Sequence, residues 1–266
     1  MAGRLLPAPD WIQRRLKRRR PHRLLAIETH EKVESRVSMS IGNKVFSVFH
    51  RLSKKFSREG LYTWLEEQCS ELNARADHRE YKILNVGSGG EVFRHLRAIK
   101  NANLIQTDID PDRKPDIVAD VCNMHMFEDN SIDCVFMVEV LEHVKTPQKG
   151  IDEVYRVLKP GGKLYLSTPF IFPLHDEPYD FYRYTKYGLT HMLAAFHPVS
   201  MKERNDYYSS ILVLFARGII NTDRMQRYVG LFFFIYILIQ YPIFWLFSKI
   251  ATNTKATTGY TVTAVK

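Results

Sequence analysis

Cysteine is scarce in this chain. Only Cys69, Cys122 and Cys134 occur among 266 residues, and their spacing matches neither a metal-binding module nor a disulfide framework. A small secreted domain held together by disulfides is therefore excluded, while a composition of 45% apolar and 25% charged residues is that of a folded protein. The low cysteine count fits a reducing compartment such as the cytosol.

Acidic residues are almost missing from the first 23 positions. Asp10 stands there against eight lysines and arginines, a net charge of +7 out of +9 for the whole chain. No apolar run follows, so the segment does not read as a secretory signal. Such a basic arm suits anionic lipid head groups or nucleic acid. A solvated tail without a partner and a mitochondrial transit peptide are the alternatives.

Charged residues are also absent from Tyr228 to Ser248, an apolar run of 21 residues. That is close to the roughly 20 needed to span a bilayer. Gln240 and Pro242 interrupt it, and the later residues 259–265 read as a strand that must rejoin the fold. We therefore expect a helical hairpin or in-plane helices that dip into one leaflet, with a buried helix or a dimer interface as the alternative. Flanking residues suited to the head-group level are Tyr228, Tyr241, Trp245, Arg217, Arg224, Arg227 and Lys249.

The middle of the chain alternates short apolar runs with helical stretches, which predicts an α/β fold with a parallel sheet covered by helices. The Lys159-Pro160-Gly161-Gly162 run is expected to end a helix and turn the chain into a strand. Strands are predicted at 82–86, 103–107, 116–119, 132–138, 162–168 and 198–203. Helices are predicted at 91–99, 148–158 and 185–195.

The length suits one α/β domain with additions rather than two full domains. We expect a basic arm and helical lead-in over 1–78 and an α/β core over 79–207. An apolar helical insertion over 208–251 and the last core strand over 252–266 would follow. The lead-in shows no chemistry, only apolar residues at helical spacing: Val45, Phe46, Phe49, Leu52 and Phe56.

A ligand-binding pattern begins where the first core strand runs into glycines, at Ile83-Leu84-Asn85-Val86-Gly87-Ser88-Gly89-Gly90. Such glycines let a backbone approach a ligand closely. Asp108 closes the second strand 21 residues after Gly87, where a carboxylate reaches the ribose hydroxyls of an adenosyl ligand. Asp120 ends the third strand, where an acid can accept from an adenine amino group. Each feature alone is common, but their order indicates a nucleoside-type cofactor.

With these motifs the chain resembles the class I S-adenosylmethionine-dependent methyltransferase family, across most of residues 82–195. Thr107–Pro111, Glu139–His143 and Arg156–Gly162 are similar to its later motifs. The resemblance implies a Rossmann-like, doubly wound, seven-stranded and mostly parallel sheet, with a helical N-terminal extension and an apolar helical insertion before the last strand. It also implies S-adenosylmethionine as cofactor. The implied cofactor-binding residues are Asn85, Gly87, Ser88, Gly89, Asp108, Ile109, Asp120, Val121 and Glu139.

Two positions depart from the family pattern. Asn85 stands where Asp or Glu is frequent, which removes a charge near the ligand's ammonium group. Glu91 stands where a third glycine is frequent, so the turn is expected to differ in shape. A nicotinamide dehydrogenase is the rival for this fold, but the run lacks the third, helix-packing glycine of that fingerprint.

Methyl transfer is an in-line displacement, so the enzyme mainly aligns the reactants and removes a proton when the acceptor is a hydroxyl. The candidates are His143, His175 and Asp176, with Asp180 as another residue that could orient a histidine. The Glu139-x-x-Glu142-His143 pattern with a later histidine resembles metal-dependent O-methyltransferases of ubiquinone and small-RNA pathways. That resemblance implies a divalent cation, Mg²⁺ or Mn²⁺, on Glu139, Glu142, His143 and His175. Without metal, His143 or His175 would be the general base.

The segment from His175 to Thr185 resembles one in methyltransferases of bacterial surface-polysaccharide and lipid-linked glycan pathways. Its aromatic residues are expected either to line an acceptor pocket or to belong to the core: Tyr179, Phe181, Tyr182 and Tyr184. The expected acceptor is therefore a hydroxyl of a small or lipid-linked molecule, either a quinone precursor or a lipid-linked glycan.

We expect a methyltransferase that acts peripherally or monotopically on the cytoplasmic side of an anionic membrane surface. An RNA 2′-O-methyltransferase, whose basic arm grips phosphates, is one alternative. A non-catalytic adaptor that keeps the fold and recruits partners to membranes is the other.

Overall fold

The computed structural model describes residues 41–74, 79–217, 224–250 and 253–266. The basic arm and the part of the lead-in before Ile41 lie outside these ranges. Within them the chain forms seven strands and six α-helices. The strands are β1 (Tyr81–Val86), β2 (Ala102–Asp108), β3 (Ile117–Val118), β4 (Ile132–Val138), β5 (Leu158–Pro169), β6 (Val199–Glu203) and β7 (Gly259–Val265). The helices are α1 (Ile41–Asn73), α2 (Gly90–Leu96), α3 (Pro147–Val157), α4 (Lys186–Met192), α5 (Tyr207–Arg217) and α6 (Arg224–Ile250).

All seven strands join one sheet in the order β3-β2-β1-β4-β5-β7-β6. Strands β1 to β5 pair in parallel, and only β7 runs antiparallel to both of its neighbours. The predicted seven-stranded, mostly parallel, Rossmann-like sheet is confirmed. Val86 pairs with Thr107 on one side and Met137 on the other, so the carboxyl ends of β1, β2 and β4 meet at one edge. Ligands of such sheets bind at this edge.

Two apolar layers cover the sheet because its strands alternate their side chains between faces. On β4, Val135 and Met137 face a cluster that also holds Ile151 and Val154 of α3. Cys134 and Phe136 face the other side of the sheet, where α1 packs. The lead-in is thus part of the core from Leu61 onward; the buried α1 side chains are Leu61, Trp64, Leu65, Cys69 and Leu72.

Strand β5 begins earlier than predicted. It starts at Leu158, so the Lys159–Gly162 run lies inside the strand instead of preceding it. The pairing with β4 shifts register across this run, because Ile132 faces Leu158 but Cys134 faces Lys163. Two hydrogen bonds with the chain's last residue satisfy the displaced backbone: Gly161 N–H donates to Lys266 at 2.9 Å, and Lys266 N–H donates to Gly162 at 3.0 Å.

Two helices, α5 and α6, lie between β6 and β7. They pack antiparallel, since the Tyr208 ring stacks on Phe247 and the Phe215 ring stacks on Phe233. The Ser210 hydroxyl fixes α5 by donating to the Ala256 carbonyl at 3.1 Å. Many large apolar side chains of α6 are exposed; they are Tyr228, Val229, Phe232, Phe233, Ile235, Tyr236, Leu238, Ile239, Tyr241, Ile243, Trp245, Leu246, Phe247 and Ile250. In the described part of the chain no helix is both long enough and apolar enough to cross a membrane. The domain boundaries drawn from the sequence stay predictions.

Candidate active site

The glycine turn after β1 has a conformation that only glycine fits. Gly87 adopts φ +87°, and a Cβ placed there would lie 2.6 Å from the Cγ2 atom of Val140. A side chain at this position would therefore collide with the segment that follows β4 and strain the backbone. The turn brings the backbone after β1 close to the residues after β4.

Asp108, at the end of β2, ties this turn to the second strand. It is 7% exposed, and its Oδ2 accepts hydrogen bonds from the Ser88 N–H at 2.9 Å and the Ser88 hydroxyl at 3.2 Å. Its Oδ1 accepts from the Asp110 N–H at 2.9 Å. A carboxylate has about four lone-pair sites, so Asp108 keeps capacity for a further donor such as a ribose hydroxyl.

The remaining predicted cofactor residues line the same edge. Asp120 accepts from the Cys122 N–H at 2.8 Å and so shapes the turn after β3. Val121 is buried against α3, 3.3 Å from the position that a Cβ on Gly150 would take. Ile109 is half-buried directly after Asp108. The roles of these residues in binding an adenosyl group stay predictions.

Asn85 contributes an unpaired acceptor beneath the turn. Its side chain is fully buried, and its amide group donates to the Gly87 carbonyl at 3.4 Å. Its Oδ1 has no hydrogen-bond partner in the ranges that the structure describes. Because buried acceptors are rarely left unpaired, this atom fits a ligand that carries a donor such as an ammonium group. The residues present at this edge therefore fit S-adenosylmethionine.

Glu139 follows β4 and is held by an arginine that sequence reasoning missed. Its φ of +55° is rare for a residue with a side chain, and such strain concentrates at functional sites. Both carboxylate oxygens accept from the Arg204 guanidinium, and Oε1 also accepts from the Ser167 hydroxyl at 3.0 Å. Although burial acts in the opposite direction, Arg204 lowers the pKa of Glu139. Glu139 is therefore an ionised, already paired carboxylate.

Glu142 is the opposite case, a buried carboxyl group that is not paired with a donor among the described residues. It is 0% exposed, and within that part of the chain neither of its side-chain oxygens has a hydrogen-bond partner. Its backbone is anchored, because its carbonyl accepts from the Phe181 and Tyr182 N–H groups at 2.9 and 3.2 Å. Burial, together with the charge of Glu139, raises the pKa of Glu142. A site of this kind suits a proton, a cation or a donor from a ligand.

Two histidines turn a ring nitrogen toward Glu142. The Nε2 atoms of His143 and His175 lie 3.8 and 3.7 Å from its Oε1. His143 Nδ1 lies 2.8 Å from the Tyr179 carbonyl oxygen, which can only accept, so Nδ1 carries the proton and Nε2 is free. His175 Nδ1 lies 3.3 Å from Asp180 Oδ2. Burial opposes it, but Glu142 and Asp180 raise the pKa of His175.

The ligand atoms of Glu142, His143 and His175 all lie within 4.8 Å of one another, which is close enough to hold one metal ion. A backbone or carboxylate acceptor on the other ring nitrogen of each histidine is typical of metal-binding imidazoles. Glu139, the fourth predicted ligand, is not part of this group because Arg204 occupies its carboxylate. The three-residue group fits a divalent cation, and Glu139 as a ligand stays a prediction.

Asp180, rather than Asp176, is the carboxylate that orients His175. Asp180 accepts from the His175 N–H at 3.0 Å, and the Arg183 guanidinium holds it through two bonds of 2.6 Å. Asp176 is exposed, at φ +50° in the turn before it. The spacing of Asp180 and Arg183, three residues apart, is a sequence signal for this pair.

The aromatic residues of the same segment divide between core and surface. Tyr184 is buried and donates its hydroxyl to the Leu141 carbonyl at 3.1 Å, and Tyr182 donates to the Lys145 carbonyl at 3.0 Å. Both therefore hold the segment that carries Glu142 and His143. Phe181 and Tyr182 are both exposed, at 38% and 39%, so either ring is accessible to an acceptor.

Comparison with known proteins identifies a methyltransferase domain in this chain. Residues 84–166 match the family described as a methyltransferase domain. A ubiquinone biosynthesis O-methyltransferase of Xanthomonas oryzae is 31% identical over 36% of this chain and 46% of that relative. A demethylmenaquinone methyltransferase of Clavibacter sepedonicus is 42% identical over 38% and 47%. The chain thus spans a little under half the length of these two relatives.

A solved structure shows the same fold over most of the chain. A SAM-dependent methyltransferase from Archaeoglobus fulgidus superimposes with a TM-score of 0.52 and 15% identity. The match covers 79% of this chain and 94% of that one. The similarity therefore extends beyond the matched domain to nearly the whole of that protein's fold.

Proposed function

We propose that this chain, which carries a class I S-adenosylmethionine-dependent methyltransferase domain, methylates an oxygen of a membrane-embedded or lipid-linked acceptor. Bound S-adenosylmethionine supplies a methyl group activated by sulfonium, and S-adenosylhomocysteine remains once that group has passed to the acceptor oxygen. The residues of the chain bind both molecules and remove the proton of the acceptor hydroxyl.

The observation that carries the proposal is the group of Glu142, His143 and His175 at the edge where the glycine turn lies. His143 has its Nε2 free because its Nδ1 is committed to a backbone carbonyl. It can therefore accept the hydroxyl proton as a general base. His175, oriented by Asp180, stands beside it with the ring centroids 4.9 Å apart.

A divalent cation would add a second source of activation. Glu142, His143 and His175 would hold it, and bound there it would lower the pKa of an acceptor hydroxyl and orient its oxygen. Oxygen and nitrogen ligands together are compatible with Mg²⁺ or Mn²⁺ and do not select between them. Without a metal ion, we propose that His143 acts as the general base.

The membrane part of the proposal is supported by the surface of α6. Phe232 and Ile239 are 67% and 68% exposed, and Trp245 is 52% exposed. Exposed apolar surface of this extent marks an interaction site on a soluble domain. Tryptophan and tyrosine side chains suit the head-group level of a membrane. We place this surface at the cytoplasmic face of an anionic membrane, where it would bring the active site to lipid-borne acceptors.

The acceptor class follows from the same reasoning. The two curated relatives are named for ubiquinone and demethylmenaquinone, and the His175–Thr185 segment resembles one of lipid-linked glycan pathways. A quinone precursor and a lipid-linked glycan both partition into membranes and both offer a hydroxyl group.

The first test is calorimetric titration of the full chain, in mild detergent, with S-adenosylhomocysteine. We expect micromolar binding that Asp108→Ala weakens roughly tenfold to a hundredfold, because charge-assisted hydrogen bonds are lost. Asp152→Ala, on the exposed side of α3, is the matched control and should bind normally. No binding by a folded wild-type sample would refute the enzyme proposal and favour a non-catalytic adaptor.

The acceptor class is tested by incubating the protein with methyl-labelled S-adenosylmethionine and either membrane lipid extract or RNA. Label in an alkali-stable lipid product, released as methyl iodide by hydriodic acid, supports a hydroxyl acceptor in the membrane, whereas label that resists this cleavage indicates methylation at carbon. Label in RNA instead would replace the lipid proposal with RNA 2′-O-methylation.

A further inference from the structure

Three arginines from distant parts of the chain surround the site on the side of Glu139. Arg58 lies on α1, Arg204 directly follows β6, and Arg217 ends α5. The charges of Arg58 and Arg204 both act on Glu139, and the charge of Glu139 acts on Arg217. These residues form what we call the arginine cluster.

Backbone packing brings α1 to this place. A Cβ on Gly60 would lie 2.7 Å from the Arg204 carbonyl oxygen, a distance that no real side chain tolerates. Glycine in the middle of a long helix costs roughly 1 kcal/mol relative to alanine. Here it allows α1 to touch the segment after β6, two residues along the chain from Arg58.

Arg204 is paired within the cluster, although its buried Nε has no hydrogen-bond partner among the described residues. Its side chain is 4% exposed and its guanidinium makes a two-pronged ion pair with Glu139. The pair fixes the strained residue after β4. Arg204 therefore neutralises Glu139, and the other two arginines have no carboxylate partner among the described residues.

Arg217 has no salt bridge in the described part of the chain, and its buried Nε has no hydrogen-bond partner. Its guanidinium lies over the Phe172 ring, 4.7 Å from the centroid. The Phe172 ring in turn meets the His175 ring edge-on at 5.6 Å. Burial, together with the charge of Arg58, lowers the pKa of Arg217 to about 10, so it remains charged at neutral pH. It stands next to the proposed acceptor site, separated from His175 by one ring.

The charge balance of the cluster calls for an anion. Among the described residues of the cluster, the three guanidinium groups share the single ionised carboxylate of Glu139, an excess of two positive charges, whereas the nearby Arg183 is balanced by Asp180. Arg58 donates to the neutral hydroxyl of Tyr62 at 3.1 Å, which does not change the balance. A phosphate group carries about −1.5 to −2 charges at neutral pH and offers three acceptor oxygens. Arginine is the residue best shaped to bind it.

We infer that Arg58 and Arg217 bind a phosphate group of a lipid acceptor whose hydroxyl is methylated at His143 and His175. The inference rests on the proposed function and narrows its acceptor class to phosphate-bearing lipids. The lipid tail would follow α6, because α6 packs along α5 and Arg217 is the last residue of α5. A phosphate-free quinone precursor would leave the cluster unbalanced.

The test uses octyl phosphate, octanol and inorganic phosphate as probes for the full-length protein in non-ionic detergent, measured by calorimetry. We expect octyl phosphate to bind more tightly than inorganic phosphate and octanol to bind weakest. Arg217→Gln and Arg58→Gln should each weaken octyl phosphate binding roughly tenfold to a hundredfold. Arg94→Gln, at an arginine that is 77% exposed on α2, is the matched control and should change nothing.

S-adenosylhomocysteine binding is measured in the same samples. Normal binding by Arg217→Gln shows that the variant is folded, and it tests the enzyme proposal separately from the phosphate inference. Equal octyl phosphate binding by wild type and both variants would overturn the inference. Equal affinity for inorganic and octyl phosphate would overturn its lipid part. Salt-dependent binding of single-stranded RNA that both variants lose would assign the cluster to nucleic-acid phosphates instead.

Discussion

At the residue scale, the most informative feature is the contrast between two neighbouring glutamates. Glu139 and Glu142 lie on the same short segment after β4, yet one is doubly paired and the other has no donor. Because Arg204 pairs with it, Glu139 costs little free energy to keep ionised. Glu142 is stable mainly when a proton or a cation shares its site.

Glu142→Gln should therefore stabilise the metal-free protein, increasingly so as pH rises. The pKa of Glu142 is raised above its ordinary value of 4.5 and that of His175 above 6.5. Near these pH values the folded protein therefore binds more protons than the unfolded chain. The stability that these protons provide is fully present below the ordinary pKa values of the two groups, and it is lost as the pH rises through their raised pKa values in the folded state. We expect the free energy of unfolding of Glu142→Gln to exceed that of the wild type by about 1–3 kcal/mol at pH 8, with little difference near pH 5. Urea unfolding of both proteins in a chelating buffer measures this difference.

The same pair of proteins tests the metal site without an activity assay. Mg²⁺ or Mn²⁺ should raise the melting temperature of the wild type, because binding to the folded state alone stabilises it. Glu142→Gln should show no such rise. A wild type that does not respond to either cation would leave His143 as the general base, and equal stability of both proteins at pH 8 would contradict the raised pKa.

At the scale of elements, the contacts of Arg156 at the end of α3 explain why the Arg156–Gly162 motif begins with an arginine. All five of its N–H donors are used: two on Glu153, one on Asp129, and one each on the carbonyls of Phe127 and Met124. Glu153 in turn accepts from the Met124 N–H at 2.7 Å. Arg156 thus fastens α3 to the connection between β3 and β4, which leads into the strand that carries the site.

Arg156→Lys should lower the free energy of unfolding by about 2–3 kcal/mol, because a lysine cannot reach both carbonyls and both carboxylates. The urea midpoint should fall while the slope of the transition stays unchanged. Arg94→Lys is the matched control, since its exposed pair with Glu91 is worth at most about 1 kcal/mol. Equal losses in the two variants would show that the network of Arg156 contributes nothing beyond a surface charge.

The elements also show what sequence can predict. Strand β4 was predicted at 132–138 and is found there, because its seven residues are all buried and all of them except Asp133 are apolar. The glycine turn, Asp108 and Glu139–His143 each follow a predicted parallel strand. Because the carboxyl ends of parallel strands lie at one edge of the sheet, it was predictable that these motifs would meet there. Arg204 and Arg217 were not, since they approach Glu139 from residues 65 and 78 positions away through packing that leaves no periodic signal. The pairing of α1 with the sheet was missed for the same reason.

At the scale of the whole molecule, the site and the apolar surface are linked by α5. This helix starts beside the core, where the Asp206 carboxylate accepts from the Tyr208 and Ser209 N–H groups at 2.9 and 3.0 Å. It ends at Arg217 over Phe172, next to the acceptor side of the site. Since α6 packs along α5, whatever covers α6 is held close to the acceptor site.

Lipid is the occupant that we propose for α6, and vesicle flotation tests it. Wild-type protein should float with vesicles that contain phosphatidylglycerol, and a Phe232→Ser/Ile239→Ser double variant should bind at least about tenfold more weakly. Each of these side chains would lose roughly 1.5–3 kcal/mol of apolar burial. Tyr187→Ser, which removes a side chain that is 77% exposed on α4, is the matched control and should float like wild type. If the double variant floats normally but changes from dimer to monomer, α6 is a protein interface and the membrane proposal is wrong.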